Sequence, residues 1–463
     1  MRLRHLPLTT GLLQGLLCAA LAAAPIPLTL ERTLTDVESV NLSVLINRED
    51  VTQTEQSVRA ARALVLPTVD LRSSQFRRDS GGVRPVNDFD AGLYGATPLF
   101  DLRAFDSLKA VRKAVEVSRY RYELAVQQVL AGVAEAYFDH RRNLAYEQVI
   151  QANIERARVL LDLASNRLRA GVATQIDVTR AEAELLIAEQ ERLQQQTITI
   201  GSELRLKRLL NLDLDTQIVL DRFEIRRDLD QGQRSIALAE ILDRRADFQA
   251  ALADIDRLRL TRRAYARERV PTVDAVAQGG ITSPKALDGN EKEFWAIGLE
   301  VSMPIFEGSR IDSNLRRTDS EIRQAEYGRL DLQHAIDTEL RIALQDVESQ
   351  LAQILVAEKN LALAEEELRL ARVRYEQGVA DNRELIDAEN RFASSSFNLV
   401  RSLYSYNVAR IELARVRGDV RLILQERAPV ESTRTVEQAA RQTGATSATD
   451  PAAPVDAPSE TAP

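Results

Sequence analysis

The run Phe294-Trp295-Ala296-Ile297-Gly298-Leu299-Glu300-Val301-Ser302-Met303 alternates with a period of two. Trp295, Ile297, Leu299, Val301 and Met303 form an apolar series, and Phe294, Ala296, Gly298, Glu300 and Ser302 form the other. Successive side chains of a strand point to opposite faces, so one face is apolar and the other, Phe294 apart, is small or polar. This dyad is the pattern of a barrel wall with lipid outside and water inside. An ordinary half-buried sheet alternates in the same way, so the rest of the chain has to decide between them. Weaker versions occur in Pro67 to Gln75, with Val69 and Leu71 opposite Asp70 and Arg72, and in Asn87 to Leu99, with Phe89, Ala91 and Leu93 opposite Asp90, Gly92 and Tyr94. Turn-rich stretches, Asp79-Ser80-Gly81-Gly82 and Asp288-Gly289-Asn290, separate the paired strands. Trp295 and Phe294 are candidates for an aromatic girdle at the membrane interface.

The strands belong to a duplicated chain. Pro67-Thr68-Val69-Asp70 recurs as Pro271-Thr272-Val273-Asp274, Pro98 as Pro304, Ala136 as Ala343, Asn153 as Asn360, and Gly171-Val172-Ala173 as Gly378-Val379-Ala380. Pairing Arg48-Glu49-Asp50 with Arg245-Ala246-Asp247 gives an offset of 197, against 204 at Pro67, and so implies seven additional residues, one heptad, in the second copy. Each copy reads as a helix, two strands, and two long helices joined at a glycine.

The long helices carry heptads. Leu340, Val347, Ile354, Leu361, Leu368 and Tyr375 fall seven apart, with Ala343, Ala357, Ala364 and Ala371 three further on. This is a coiled-coil seam whose alanines let helices approach closely. The first copy keeps Val133, Ile154, Leu161 and Leu168 with Ala136, Ala157 and Ala164, but His140 and Glu147 interrupt it, so its middle is expected to pack less tightly. The returning helices repeat the seam through Leu385, Phe392, Leu399, Tyr406 and Leu413, and more weakly through Leu186, Leu193 and Ile200. From Asp101 to Ala170, a continuous helix would reach about 105 Å at 1.5 Å per residue.

Composition narrows the class. The 463 residues carry 61 basic and 69 acidic side chains, a formal charge of −8, which gives no electrostatic footprint for nucleic acid. A hydrophobic content of 44% and a mean hydropathy of −0.24 rule out a bundle of membrane-spanning helices. Arg2, Arg4 and His5 before the apolar run Leu12 to Leu21, followed by Ala20-Leu21-Ala22, read as a signal peptide over residues 1–22. Cys18, the sole cysteine, lies inside it, and Gly15-Leu16-Leu17 lacks the small residue a lipoprotein signal places before its cysteine. The mature chain then has neither disulfides nor thiolate metal sites. Residues 23–211 read as the first repeat, 212–244 as a link wrapping the helices midway, 245–424 as the second repeat, and 425–463 as a disordered tail. The fold class is α+β, with four transmembrane strands per chain and long coiled-coil helices. Four strands cannot close a membrane barrel. Two, three or four copies supply eight, twelve or sixteen strands, and the residues do not choose among them.

The chain resembles the TolC-like outer-membrane efflux protein family from Leu28 to about Val420. The resemblance rests on the opening Leu28-Thr29-Leu30-Glu31 and on the strand exits Thr97-Pro98-Leu99-Phe100 and Met303-Pro304-Ile305-Phe306-Glu307-Gly308. It rests also on the hairpin tips, Arg167-Leu168-Arg169-Ala170-Gly171-Val172-Ala173 and Arg374-Tyr375-Glu376-Gln377-Gly378-Val379-Ala380. It implies a homotrimer with a twelve-stranded barrel in outer-membrane lipid, continued by an α-helical barrel across the periplasm. It implies also a passive duct docked on a periplasmic adaptor and an inner-membrane pump of RND or ABC type. By the same resemblance Pro98 and Pro304 mark strand-to-helix junctions, and Asp101 is a plausible cap for the helix that follows.

No catalytic constellation stands out: His140 and His334 occur singly, and neither an enzyme nor a cofactor is expected. Function concentrates at the hairpin tips, where Gly171, Val172, Gly378 and Val379 are the expected adaptor-docking positions. Thr174 and Asp381 are repeat-equivalent, and Asp177 and Glu384 follow three residues on, at capping-box spacing. Asp387 lies one turn beyond Glu384. By resemblance Glu384 and Asp387 match acidic positions lining a closed periplasmic mouth, where three copies would form a carboxylate ring that attracts cations. The matched position in the first copy is Arg180. Arg383 is a candidate latch onto Asp177 or Asp387, worth only ~0–1 kcal/mol if exposed. The expected function is an outer-membrane exit duct for small toxic compounds. The alternatives are the duct of a type I protein or peptide secretion system and a periplasmic coiled-coil adaptor or rod.

Overall fold

The computed structural model describes residues 26–78, 86–221, 227, 237–286 and 289–426. The expected signal peptide with Cys18, the turn at Asp79 to Gly82, Asp288, much of the link and nearly all of the tail lie outside the described residues.

The first unit runs β1 (Ile26–Leu28), α1 (Leu30–Val40), α2 (Leu42–Ala63), β2 (Thr68–Arg78), β3 (Val86–Phe100), α3 (Leu102–Arg169) and α4 (Gln175–Leu209). After β4 (Ile218–Leu220) the same order returns as α5 (Leu238–Arg244), α6 (Ala246–Arg267), β5 (Thr272–Ser283), β6 (Lys292–Ser302), α7 (Arg310–Glu376) and α8 (Asn382–Val416), closed by a 3-10 turn at Val420–Glu426. Helices α2 and α6 are each 22 residues and α4 and α8 each 35, so the duplication extends to element length. One expectation fails. The junctions before α2 and α6 are Asn41 and Arg245, so the offset is already 204 there and the second copy has no additional heptad. The Arg-x-Asp match was a coincidence: Arg48 is an exposed residue within α2, whereas Arg245 is the buried junction before α6, paired with Asp247 and Glu339.

Strands β2, β3, β5 and β6 form one antiparallel sheet in that order. The register puts Leu71, Leu93, Gly279 and Trp295 in one row and Arg72, Gly92, Gly280 and Phe294 in the next, on the opposite face. The apolar face is bare: Leu71 is 78% exposed, Ile297 78% and Trp295 81%. Among the described residues β2 and β6 have free edges. At the centre, a Cβ on Gly280 would stand 2.2 Å from the Ala91 carbonyl oxygen and one on Gly92 would stand 2.8 Å from that of Gly279, so these strands meet where only glycine fits. Pro98 lies within β3 at a register shift between Pro98 and Phe100, where its missing N–H is tolerated. Asp101 then caps α3, accepting the Ala104 N–H at 2.9 Å. Pro304 stands between β6 and α7.

Helix α3 is continuous for 68 residues, which is ~102 Å. It packs along α4 and α8, and α8 along α7, giving the order α4–α3–α8–α7 in the half carrying the hairpin tips, while in the half nearer the sheet α6 stands between α3 and α7 and α2 lies on the other side of α3. The α7 seam is buried as expected at Leu340, Val347, Ile354, Leu368 and Tyr375 with Ala343, Ala357, Ala364 and Ala371, and so is the α8 seam at Leu385, Phe392, Leu399, Tyr406 and Leu413. The weaker seam differs from expectation. Leu186, Leu193 and Ile200 are 60%, 61% and 57% exposed, and α4 instead buries Ala181, Ala188, Gln195 and Ser202, also seven apart. Its polar members answer polar groups on α3. His140 Nδ1 lies 2.9 Å from Ser202 Oγ, and Gln195 donates to the Asn143 carbonyl at 3.4 Å. Burial holds the His140 imidazole below its usual pKa, so it packs as a neutral ring. Parallel pairing of β1 with β4 docks the start of the link at the middle of α3, where Tyr137 donates to the Asp221 carbonyl at 2.8 Å.

Gly280→Ala is expected to destabilise the sheet by about 1–3 kcal/mol through overpacking. Gly298→Ala, whose Cβ meets nothing within 4 Å, should be close to neutral. Unfolding temperatures of the two variants in detergent decide, and equal values would remove the close-approach argument.

Candidate functional site at the hairpin tips

Both tips are built on one backbone device. Gly171 at φ +73° and Gly378 at φ +75° occupy the left-handed region after α3 and α7. In each, the glycine N–H returns to the carbonyl three residues back (Leu168 at 2.9 Å, Tyr375 at 3.0 Å), and the following valine N–H reaches one residue deeper (Arg167 and Arg374, both 3.0 Å). This is the Schellman closure, which satisfies carbonyls at a helix end and favours glycine. Val172 and Val379 are left 64% and 66% exposed at the apex of each turn.

The two caps are chemically different. In the first tip the Asp177 carboxylate accepts the Thr174 N–H at 2.9 Å and the Thr174 hydroxyl at 2.7 Å, and Arg180 stands 4.0 Å away. The hydrogen bonds from Thr174 hold the Asp177 carboxyl below the usual Asp value. In the second tip Asp381 itself caps α8 by accepting the Glu384 N–H at 3.0 Å. That frees the Glu384 side chain, which takes both Nε and a terminal nitrogen of Arg374 at 2.8 and 3.4 Å. Equal spacing in the two copies therefore hides unequal work: Asp177 caps its helix, and Glu384 neutralises an arginine. Asp387 is exposed with no ion pair among the described residues, and Arg383 is exposed and engages neither Asp177 nor Asp387 within one chain.

Spacing did not reveal what joins the tips. Arg167, the repeat-equivalent of Arg374, has no freed acid beside it and reaches the other hairpin, donating to the Tyr375 carbonyl with its guanidinium 4.6 Å from the Tyr375 ring centre. In return Asn382 donates to the Asp177 carbonyl at 2.8 Å. The available signal was the mismatch of Tyr375 with Leu168 at equivalent positions. Higher up, a 190 Å³ cavity between α3, α4 and α8 is lined by Asn153, Glu184, Ile187, Glu191, Glu389 and Phe397. Burial pushes the Glu389 carboxyl up against the opposing pull of Arg156 and Arg372, and burial with the Glu184 charge pushes up that of Glu191. Among the described residues no cluster of His, Cys, Asp and Glu is placed to hold a metal.

An open sheet, apolar on one face and polar on the other, carried on two coiled-coil hairpins, defines a subunit of an outer-membrane channel. The chain matches the Outer membrane efflux protein family over residues 37–212 and 237–419, one match per repeat, and belongs to it. It is a TolC-like protein of the outer membrane with a large periplasmic helical portion. The fusaric acid resistance protein FusA of Burkholderia cepacia is 26% identical over 60% of this chain and 55% of FusA. The proteases secretion protein PrtF of Dickeya chrysanthemi is 26% identical over 59% of this chain and 61% of PrtF, so the chain spans somewhat over half the length of these two relatives. The crystal structure of the outer membrane protein VceC from Vibrio cholerae superimposes with a TM-score of 0.72 at 18% identity, covering 84% of this chain and 96% of VceC.

The Tyr375 hydroxyl is buried without a hydrogen-bond partner among the described residues, although its ring carries Arg167. Tyr375→Phe is therefore expected to gain up to about 1 kcal/mol, and Tyr375→Ala to lose about 3–5 kcal/mol. Thermal melts followed by helical circular dichroism check both, and a destabilised phenylalanine variant would show that the hydroxyl has a partner.

Proposed function

We propose that three copies of this chain join their sheets into a twelve-stranded barrel and their hairpins into a helical duct, through which small toxic compounds leave the cell from a periplasmic adaptor and an inner-membrane pump. The observation that carries the reading is the unpartnered apolar surface on both flanks of the protomer. Edge helix α4 exposes Leu186, Leu193 and Ile200, and edge helix α7 exposes Ile342, Val356, Leu363 and Leu370, both at heptad spacing. Burying each such side chain contributes ~1.5–3 kcal/mol. Two complementary unpaired seams on opposite flanks, with two open strand edges above them, are what a closed ring of copies needs. Trimeric closure itself rests on likeness to the family.

In this reading Val172 and Val379 present apolar apices to the adaptor, with Gly171 and Gly378 holding the turns, and the mouth ring is set by Asp387. Glu384 is already neutralised by Arg374, so its share of the field at the axis is small. The similarity to PrtF, named for protease secretion, supports protein export as the second reading. Deleting the gene should raise sensitivity to small toxic compounds under the first and abolish export of a secreted protein under the second.

Leu193→Asp combined with Ile200→Asp should convert the detergent-solubilised assembly to monomer, with helix content retained in circular dichroism. A trimer of unchanged mass would count against α4 as the joining surface. In planar bilayers Asp387→Asn should weaken cation preference more than Glu384→Gln does, and the reverse order would remove Asp387 from the mouth.

A further inference from the structure

We propose that Phe294 narrows the outer part of the barrel lumen: three copies of its ring, one per subunit, form an apolar collar on the face that also carries Phe76 four residues farther out along β2, and Tyr94 and Val276 nearer the helices. The inference rests on the barrel reading above and adds a residue that contacts the passing solute.

The register carries it. Phe294 stands on the face opposite Trp295, in the row Arg72, Gly92, Gly280, Phe294. It is half-buried there, whereas Trp295 is 81% exposed on the outward face. The two aromatics therefore cannot share one girdle: alternation sends Phe294 to the face opposite Trp295. Both interior members of the row are glycines that the strand contact forbids from carrying a Cβ, so nothing fills the lumen beside Phe294 on its own sheet. At the far end of the row the Arg72 guanidinium is drawn aside, paired with Asp70 at 3.0 Å and 5.0 Å from the Tyr94 ring centre. In the row nearer the helices Phe294's strand offers only Ala296, and in the one after that only Gly298. The phenyl ring is thus the one aromatic group of β6 on this face, between the charged Lys292 and Glu300. Twelve strands spaced about 4.8 Å and tilted about 40° enclose roughly 24 Å between backbones, wide enough to stay open and narrow enough for three rings to matter.

The test places a reporter thiol below the collar. Gln278 shares the lumen face and lies one row nearer the helices, paired with Ala296. In a chain carrying Cys18→Ser and Gln278→Cys, intact cells are treated from outside with membrane-impermeant maleimides bearing polyethylene-glycol tails of graded length. With Phe294 present, labelling should slow steeply with tail length. Phe294→Ala should speed the long reagents several-fold while leaving the shortest unchanged, Phe294→Leu should fall between, and Trp295→Ala should change nothing. The same size dependence with phenylalanine and alanine would overturn the collar. Labelling at Ala277→Cys but not at Gln278→Cys would show that the faces are reversed and overturn it as well. No assembly in the outer membrane for the Phe294-containing chain would overturn the barrel reading itself, and the collar with it.

Discussion

A β-sheet edge placed in lipid has nowhere to send its N–H and C=O groups, and each unsatisfied group costs several kcal/mol. That constraint decides most of what is seen here. The four-stranded sheet leaves β2 and β6 with free edges, and the proposed ring of copies is the arrangement that would pair them in a bilayer. The same requirement explains why the apolar face of the sheet and the apolar stripes of α4 and α7 are left uncovered in one protomer. They are not surface defects. In the proposed assembly the sheet face would meet lipid and the helix stripes would meet a neighbouring copy.

Duplication supplies this architecture economically but does not keep the copies equivalent. Each repeat contributes a strand pair and a hairpin, closed by the same glycine-centred turn. At the tips, divergence lies in the side chains around that turn. A threonine paired with an aspartate caps the first returning helix, and an aspartate alone caps the second. One exchange thereby redirects two arginines: Arg374 stays at home on Glu384, and Arg167 crosses to Tyr375. Repeat symmetry is a guide to backbone and a poor guide to charge.

What could be read from residues follows the same division. The strand faces, the α7 and α8 seams, the glycine turns and the Asp101 cap were legible because each rests on a local period or a local backbone need. The α4 seam was misread because leucine and isoleucine at heptad spacing are equally compatible with an internal seam and with an interface between copies. Only packing distinguishes them, and the internal seam here is made of alanine, glutamine and serine. The partner of Glu384 was out of reach for a related reason. Arg374 lies on the other helix of the hairpin, ten residues away, and no i, i+4 rule reports such a pair.

The gradient of chemistry along the hairpins has a mechanical consequence. Away from the apex the two hairpins share a continuous apolar cluster, with Leu160, Ala164 and Ala181 packed among Leu368, Ala371, Ala388 and Phe392. At the apex their links become polar: Arg167 on Tyr375, and Asn382 on the Asp177 carbonyl. Separating packed apolar surface costs ~25 cal/mol per Å², whereas a single hydrogen bond of this kind contributes only ~0.5–1.5 kcal/mol net. The apex is therefore the cheapest place for the hairpins to part, and displacement there need not propagate into the seams that hold the protomer together.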